Sequence, residues 1–237
     1  VLFRSFNINK TLSYRISDTI NDRSFDFIMD YEKFLLYLIS NPLMLTKKRK
    51  HINRKTLIEL NNIMELKEGV TKKTPNQEDF LLLNLFYNFS LANRLVKIVG
   101  YKLAITKRGH VFLRLSDEEK LTLFIQYLLS NKILEFMVSD SDKNLAIHTR
   151  NNLLKLLYTL KEGMDYEYSQ LDFSSLGPVR YVFSYLKYME LIGLVEFNRY
   201  PPGFTLTHLG KVVFNILQDK NKELDSKGKV IYLNQLR

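Results

Sequence analysis

The sequence predicts a mainly α-helical chain with small β-hairpin wings, made of two units that repeat one order of elements. Three observations carry this. Apolar residues recur at steps of three and four through several long stretches, the period of an amphipathic helix. Two runs of strand, turn and strand, at 95–105 and 194–206, each lead into Thr-x-x-Gly, as Thr106-Lys107-Arg108-Gly109 and Thr207-His208-Leu209-Gly210. Between them Ser139-Asp140-Ser141-Asp142-Lys143-Asn144 interrupts the apolar pattern and marks a linker over residues 131–147.

Residues 1–24 read as an irregular lead-in; Leu2-Phe3-Arg4-Ser5 is a string that a sequencing adapter encodes, so residues 1–5 are expected to be artefact, with the natural N-terminus upstream. The first unit spans 25–130. Phe27, Ile28, Tyr31, Phe34, Leu35, Leu38 and Ile39 share one helical face, and that helix stops before Asn41-Pro42, since the residue preceding a proline is pushed out of the helical region. Leu43-Met44-Leu45 suits a short strand, and Asn53 caps a second helix bearing Leu57, Leu60, Ile63 and Met64. Glu78 to Arg94 is a third helix, apolar round most of its circumference and so buried on several sides. Leu95 to Val99 and Lys102 to Ile105 flank the turn Gly100-Tyr101 as a hairpin, and Thr106 caps a short helix. Ser116 to Leu129 is amphipathic, with Asp117, Glu118 and Glu119 in the first turn, where the helix dipole favours acids.

The second unit, 148–218, repeats the order. Thr149 to Leu160 is a helix, Met164 to Leu171 holds a short strand, and Phe173 to Leu176 is a brief second helix. Pro178 opens a third helix that ends near Ile192 at the stop Gly193. Leu194 to Phe197 and Phe204 to Leu206 then flank Asn198-Arg199-Tyr200-Pro201-Pro202-Gly203, and Thr207 starts a last helix. Residues 219–237 read as a polar, Lys-rich tail with one strand-like run, Val230-Ile231-Tyr232-Leu233. Three helices, a hairpin and a closing helix, twice over, is the order of a tandem winged helix-turn-helix. In each Thr-x-x-Gly the hydroxyl caps free amides of the departing helix, and the glycine admits close approach to the hairpin.

Composition sets the bounds. At 237 residues, 46% hydrophobic and 25% charged, the chain can bury real cores without a staple, and its lack of cysteine excludes disulfides, thiolate catalysis and thiolate zinc sites. No apolar run reaches the roughly 18–20 residues that cross a bilayer, and the expected setting is cytoplasmic. A net charge of +10 and a pI near 9.5 point to an anionic partner. AT-rich codon usage would spread that charge evenly. Instead residues 41–110 hold 14 Lys and Arg against 5 acids, while residues 131–237 hold 14 against 12. The densest point is Lys47, Lys48, Arg49, Lys50, Arg54 and Lys55, six cations in nine positions.

These counts locate the binding candidates. The third helix of unit one is too apolar to read bases, so the basic turn from Lys47 to Lys55 is expected to contact phosphate, with Lys97 and Lys102 on the wing beside it. In unit two, Val179, Val182, Leu186 and Met189 are expected to face inward. Arg180, Tyr181, Ser184, Lys187 and Tyr188 then lie on an open face that fits a major groove; equally, Tyr181 and Tyr188 cover a partner or the first unit while Arg180 and Lys187 are only solvated. Arg199 on the second wing is placed to reach adjacent phosphate.

Residues 31–129 also resemble the winged-helix module of uncharacterised, often plasmid-borne bacterial open-reading-frame proteins, a module similar to one in helicases related to the xeroderma pigmentosum B type. The resemblance rests on Asn41-Pro42-Leu43-Met44-Leu45-Thr46-Lys47, Asn53-Arg54-Lys55, the stretch Leu83 to Ala92, and Ile105-Thr106-Lys107-Arg108-Gly109. Arg49 and Lys50 stand where that pattern usually has glycine. It implies a winged-helix fold and a mobile-element or DNA-metabolism setting, and transfers no catalytic residue.

Other signals carry less. His51, His110, His148 and His208 lack metal-ligand spacing, and Asp140-x-Asp142-x-Asn144 matches only the opening of a calcium loop, with Leu145 where glycine is needed and Asn151 where glutamate is needed. There is no phosphate-binding glycine loop, nucleophile elbow or dinucleotide fingerprint, so neither catalytic residue nor cofactor is assigned. The reading is a non-enzymatic protein that binds double-stranded DNA. The alternatives are a protein-interaction or self-associating module, favoured by 30 Phe and Tyr residues, and a regulatory fragment of a longer protein.

Overall fold

The computed structural model describes residues 6–41 and 43–226, and its two hairpins organise it. In chain order the elements are α1 (Lys10–Ile16), α2 (Asp22–Ser40), β1 (Leu43–Met44), α3 (Arg54–Ile63), α4 (Leu81–Ala92), β2 (Val96–Val99), β3 (Lys102–Ile105), α5 (Lys107–Phe112) and α6 (Asp117–Leu129). Then come α7 (Leu134–Met137), α8 (Lys143–Thr159), β4 (Asp165–Glu167), α9 (Phe173–Leu176), α10 (Val179–Leu191), β5 (Val195–Arg199), β6 (Pro202–Leu206) and α11 (His208–Ser226). Each hairpin takes in the short strand that precedes it, giving two antiparallel sheets of spatial order β1-β3-β2 and β4-β6-β5. The architecture is mainly helical with two β-wings, a tandem winged helix-turn-helix.

The repeat extends to single atoms. The Thr106 hydroxyl accepts from the Gly109 amide at 3.2 Å and donates toward the carbonyls of Arg94 and Leu95 at 2.8 and 2.9 Å. Thr207 does the same for Gly210 at 3.0 Å and for Gly193 and Leu194 at 2.8 and 3.0 Å. In both copies the glycine lies against the first strand: an added Cβ would stand 2.4 Å from the Leu95 carbonyl oxygen at Gly109, and 2.1 Å from that of Leu194 at Gly210.

Contacts divide the described residues into two units, one of Phe6 with Phe25–Lys120, the other of Asn7–Ser24 with Leu121–Ser226. The core of unit one is aromatic. Tyr31 of α2 meets Phe86, Phe89 and Phe112 edge-on at 5.0, 5.4 and 5.3 Å, contacts worth about 0.5–1.5 kcal/mol each beyond area burial. Its hydroxyl is paired with Ser90 Oγ at 2.6 Å, and burial pushes its pKa far up. Asp30, fully buried, accepts the amides of Glu65 and Leu66, both at 2.8 Å, while Glu68 accepts those of Leu81 and Leu82. The polar stretch after α3 is therefore tied to α2 and caps α4.

In unit two, α10 packs on α8 and on β5, and Leu153, Leu157, Val182, Tyr185, Leu186, Met189, Phe204 and Leu206 are buried. Arg150 is 1% exposed, donating to the Ser130 carbonyl just beyond α6 and to Asn131 Oδ1. A cation there suits the negative end of the α6 dipole.

Three boundaries differ from the sequence reading. The lead-in over 1–24 contains α1, capped by Asn9, with Leu12 and Ile16 buried against α11 in unit two; two apolar residues four apart were too sparse to show a period. The linker over 131–147 contains α7 and the start of α8, and the division between units falls at Lys120 and Leu121, within α6. Residues 219–226, expected in the polar tail, belong to α11. The expected artefact at 1–5 and the strand-like run at 230–233 lie outside the described residues.

Candidate nucleic-acid interface

The basic turn of unit one is a closed loop. Leu45 and Ile52 form an antiparallel bridge, the Thr46 amide donates to the His51 carbonyl at 2.7 Å, and the Lys50 amide returns to the Thr46 carbonyl at 3.1 Å. Lys50 adopts a left-handed backbone, φ 57°, at a cost of roughly 1 kcal/mol. Several contacts offset that cost. The Tyr87 hydroxyl of α4 donates to the Lys50 carbonyl at 2.5 Å, the Lys50 ammonium donates to the Gly100 carbonyl at 3.1 Å, and it stands 3.6 Å from the centre of the Tyr101 ring. The Leu45 amide donates to the Tyr101 carbonyl at 2.7 Å, and buried Gln77 holds the Ile52 amide at 2.9 Å. The turn is thus fixed to the wing tip on one side and to α4 on the other.

Register decides what the wing presents. Cross-strand partners share a face, so Met44, Lys102 and Val99 form one row across all three strands, with Ala104 and Lys97 in the next. This row faces outward: Met44 is 49% and Val99 56% exposed, while Leu43, Val96 and Leu103 of the opposite face are buried. Lys47, Lys48, Arg49, Lys97 and Lys102 are exposed, and Lys50 is half-buried. Among the described residues no carboxylate comes within ion-pair distance of Lys47, Lys48, Arg54, Lys97 or Lys102, whereas Arg49 faces Glu78 and Lys55 faces Glu59, each at a loose 3.9 Å. Burial holds the His51 pKa below its usual value, with Glu78 opposing that shift and the Arg49 guanidinium adding to it.

Arg54 and Lys55 open α3, whose cap Asn53 accepts the Thr56 amide and donates to the Met44 carbonyl at 3.0 Å. That contact sets the first turn of α3 beside β1, near the other cations. Two cations at a helix N-terminus run against the dipole. The third helix, α4, has no exposed residue along its length.

Unit two departs from the expected open face. Tyr181 and Tyr188 are 6% and 4% exposed, and Val179, expected inside, is 50% exposed. The reason is a second stripe: Tyr181, Tyr185 and Tyr188 recur at i, i+4 and i+7 beside the core stripe of Val182, Leu186 and Met189, so α10 is covered on two sides. The Tyr181 hydroxyl donates to Asp142 at 2.8 Å, and Tyr188 meets Phe136 edge-on at 6.0 Å. Arg180 is exposed but leans on Tyr181 and reaches Asp142 at 3.4 Å, and Ser184 donates back to the Arg180 carbonyl. Lys187 and Arg199 are exposed on separate elements.

The outward face of the second sheet carries Asp165, Glu167 and Glu196 with Thr205 and Asn198, acidic where the first is basic. Asn198 and Thr205 both donate to Asp165, and those bonds hold its pKa below the usual carboxylate value.

No family model, curated protein or solved structure matches the chain. Among the described residues no helix is long and apolar enough to cross a membrane, and no group of three or more acids and histidines is placed to hold a metal ion. Sequence reasoning overlooked Met44, Tyr87, Val99 and Tyr101. Alternation in Val96-Lys97-Ile98-Val99 already placed Val99 beside Lys97; Tyr87 had no local signal, being one apolar residue among many in α4.

Proposed function

We propose that the chain is a non-enzymatic DNA-binding protein in which unit one makes the phosphate contacts. The observation that carries this reading is the basic turn pinned to the wing tip, which gathers Lys47, Lys48, Arg49 and Lys50 with Lys97 and Lys102 beyond the reach of strong ion pairing. The backbone of the turn is already ordered, so meeting an anion costs no loop ordering. Arg54 and Lys55, unfavourable where they stand in the free protein, gain from phosphate beside them. Sealing of α4 favours contact by turn and wing over a helix read into the groove, which means affinity with little base reading. Unit two carries a weaker positive balance and an acidic wing, so it serves another role.

The test is a salt titration of binding to a labelled blunt duplex. Log K should fall with log salt by roughly 0.9 per phosphate contact, and replacing Lys47 and Lys48 by Ala should lower the slope by about 1 to 2. Absence of binding at low salt overturns the reading.

A further inference from the structure

The outward face of sheet one has a composition that phosphate contact alone leaves unexplained. Lys97 and Lys102 are interleaved there with Met44 and Val99, both about half exposed, and at the tip Tyr101 is 45% exposed under the Lys50 ammonium. A blunt duplex turns phosphates and sugars outward and stacks its base faces against one another, so it offers nothing flat to these apolar groups. We infer that this face takes unpaired nucleotides, and that the preferred ligand of unit one is DNA with a frayed, forked or single-stranded segment.

The inference rests on the nucleic-acid reading above and deepens it. A single strand presents free base faces between its phosphates, and an aromatic ring beside cations binds such bases by stacking in a sequence-tolerant way. The register supplies the alternation. Lys97 and Lys102 sit diagonally on neighbouring strands, about 7–8 Å apart at the backbone, close to one nucleotide step of an extended strand. Val99 lies directly across from Lys102, and Met44 on its other side, so bases flanking that phosphate meet apolar side chains. The basic turn, held to the wing tip by Lys50, is placed to grip the adjoining duplex backbone.

The experiment compares three labelled probes by fluorescence anisotropy with the full chain at one salt concentration: a blunt duplex, a single strand of the same sequence, and a duplex with a forked end. Forked and single-stranded probes should bind about tenfold tighter than the blunt duplex. Val99→Ser should abolish that preference while leaving blunt-duplex affinity within about twofold; Tyr101→Ala should abolish it as read from the ratio of forked to blunt affinity, and Tyr101→Phe should retain it. Val99→Ser guards against Tyr101→Ala loosening the basic turn. Equal affinity for all three probes, or a preference indifferent to Tyr101 and Val99, overturns this inference and leaves the phosphate reading standing. Tight single-strand binding without duplex binding supports the inference and overturns duplex binding. No binding of any probe, as expected if the face serves an acidic protein partner, overturns both.

Discussion

Tyr87 shows how one side chain of the buried helix governs an exposed loop. Its hydroxyl donates to the Lys50 carbonyl, and burial pushes its pKa up to about 12. The folded state thus raises this pKa above the unfolded value of about 10, and the neutral hydroxyl's contribution is whole below pH 10 and lost as pH rises through 12. Tyr87→Phe should cost about 1 kcal/mol at pH 8 in urea denaturation, and its deficit against the parent protein should shrink between pH 10 and 12. The Lys cluster was legible from spacing alone because charge density is a local property. Its fixation was not: Tyr87, Gln77 and Tyr101 reach the turn from 25 to 51 residues away, and no period in the sequence links them.

Among the elements, the hairpins and their closing helices were the most legible, since strand alternation, turn residues and the Thr-x-x-Gly spacing all act over fewer than about twenty residues. Gly109→Ala and Gly210→Ala should each destabilise their unit by about 2 kcal/mol or more, because the new methyl meets the backbone carbonyl of Leu95 or Leu194, which cannot turn aside as a side chain can. Thr106→Val and Thr207→Val should cost about 1 kcal/mol each. Calorimetry or chemical denaturation checks both pairs, and matching costs in the two units would be the energetic counterpart of the matching hydrogen bonds. The sequence left the tyrosines of α10 either open or covered, and the structure covers them. Tyr185 completes an i, i+4, i+7 stripe with Tyr181 and Tyr188, which would have decided between the two readings.

Across the whole molecule the charge divides as the sequence counts implied, with the excess on unit one and an acidic outward sheet on unit two. Arg180→Ala, Lys187→Ala and Arg199→Ala together should therefore leave the salt slope of duplex binding nearly unchanged, in contrast to Lys47→Ala with Lys48→Ala. The chain also threads between units: residues 7–24 belong with residues beyond 120, and Asn21 and Ser24 donate to the carbonyls of Gly193 and Ile192, each at 2.9 Å. Deleting residues 7–24 should destabilise unit two, measured by its loss of protease resistance, and spare the hydrogen-bonded turn of unit one. A ribosome releases this chain from the front. Helix α1 therefore emerges before any of α11, the helix it packs on, has been made; residues 25–120 reach the tunnel exit next and carry most of their own partners with them. Synthesis order thus favours residues 25–120 completing their contacts first, while α1 waits, its apolar side uncovered, until α11 has been made.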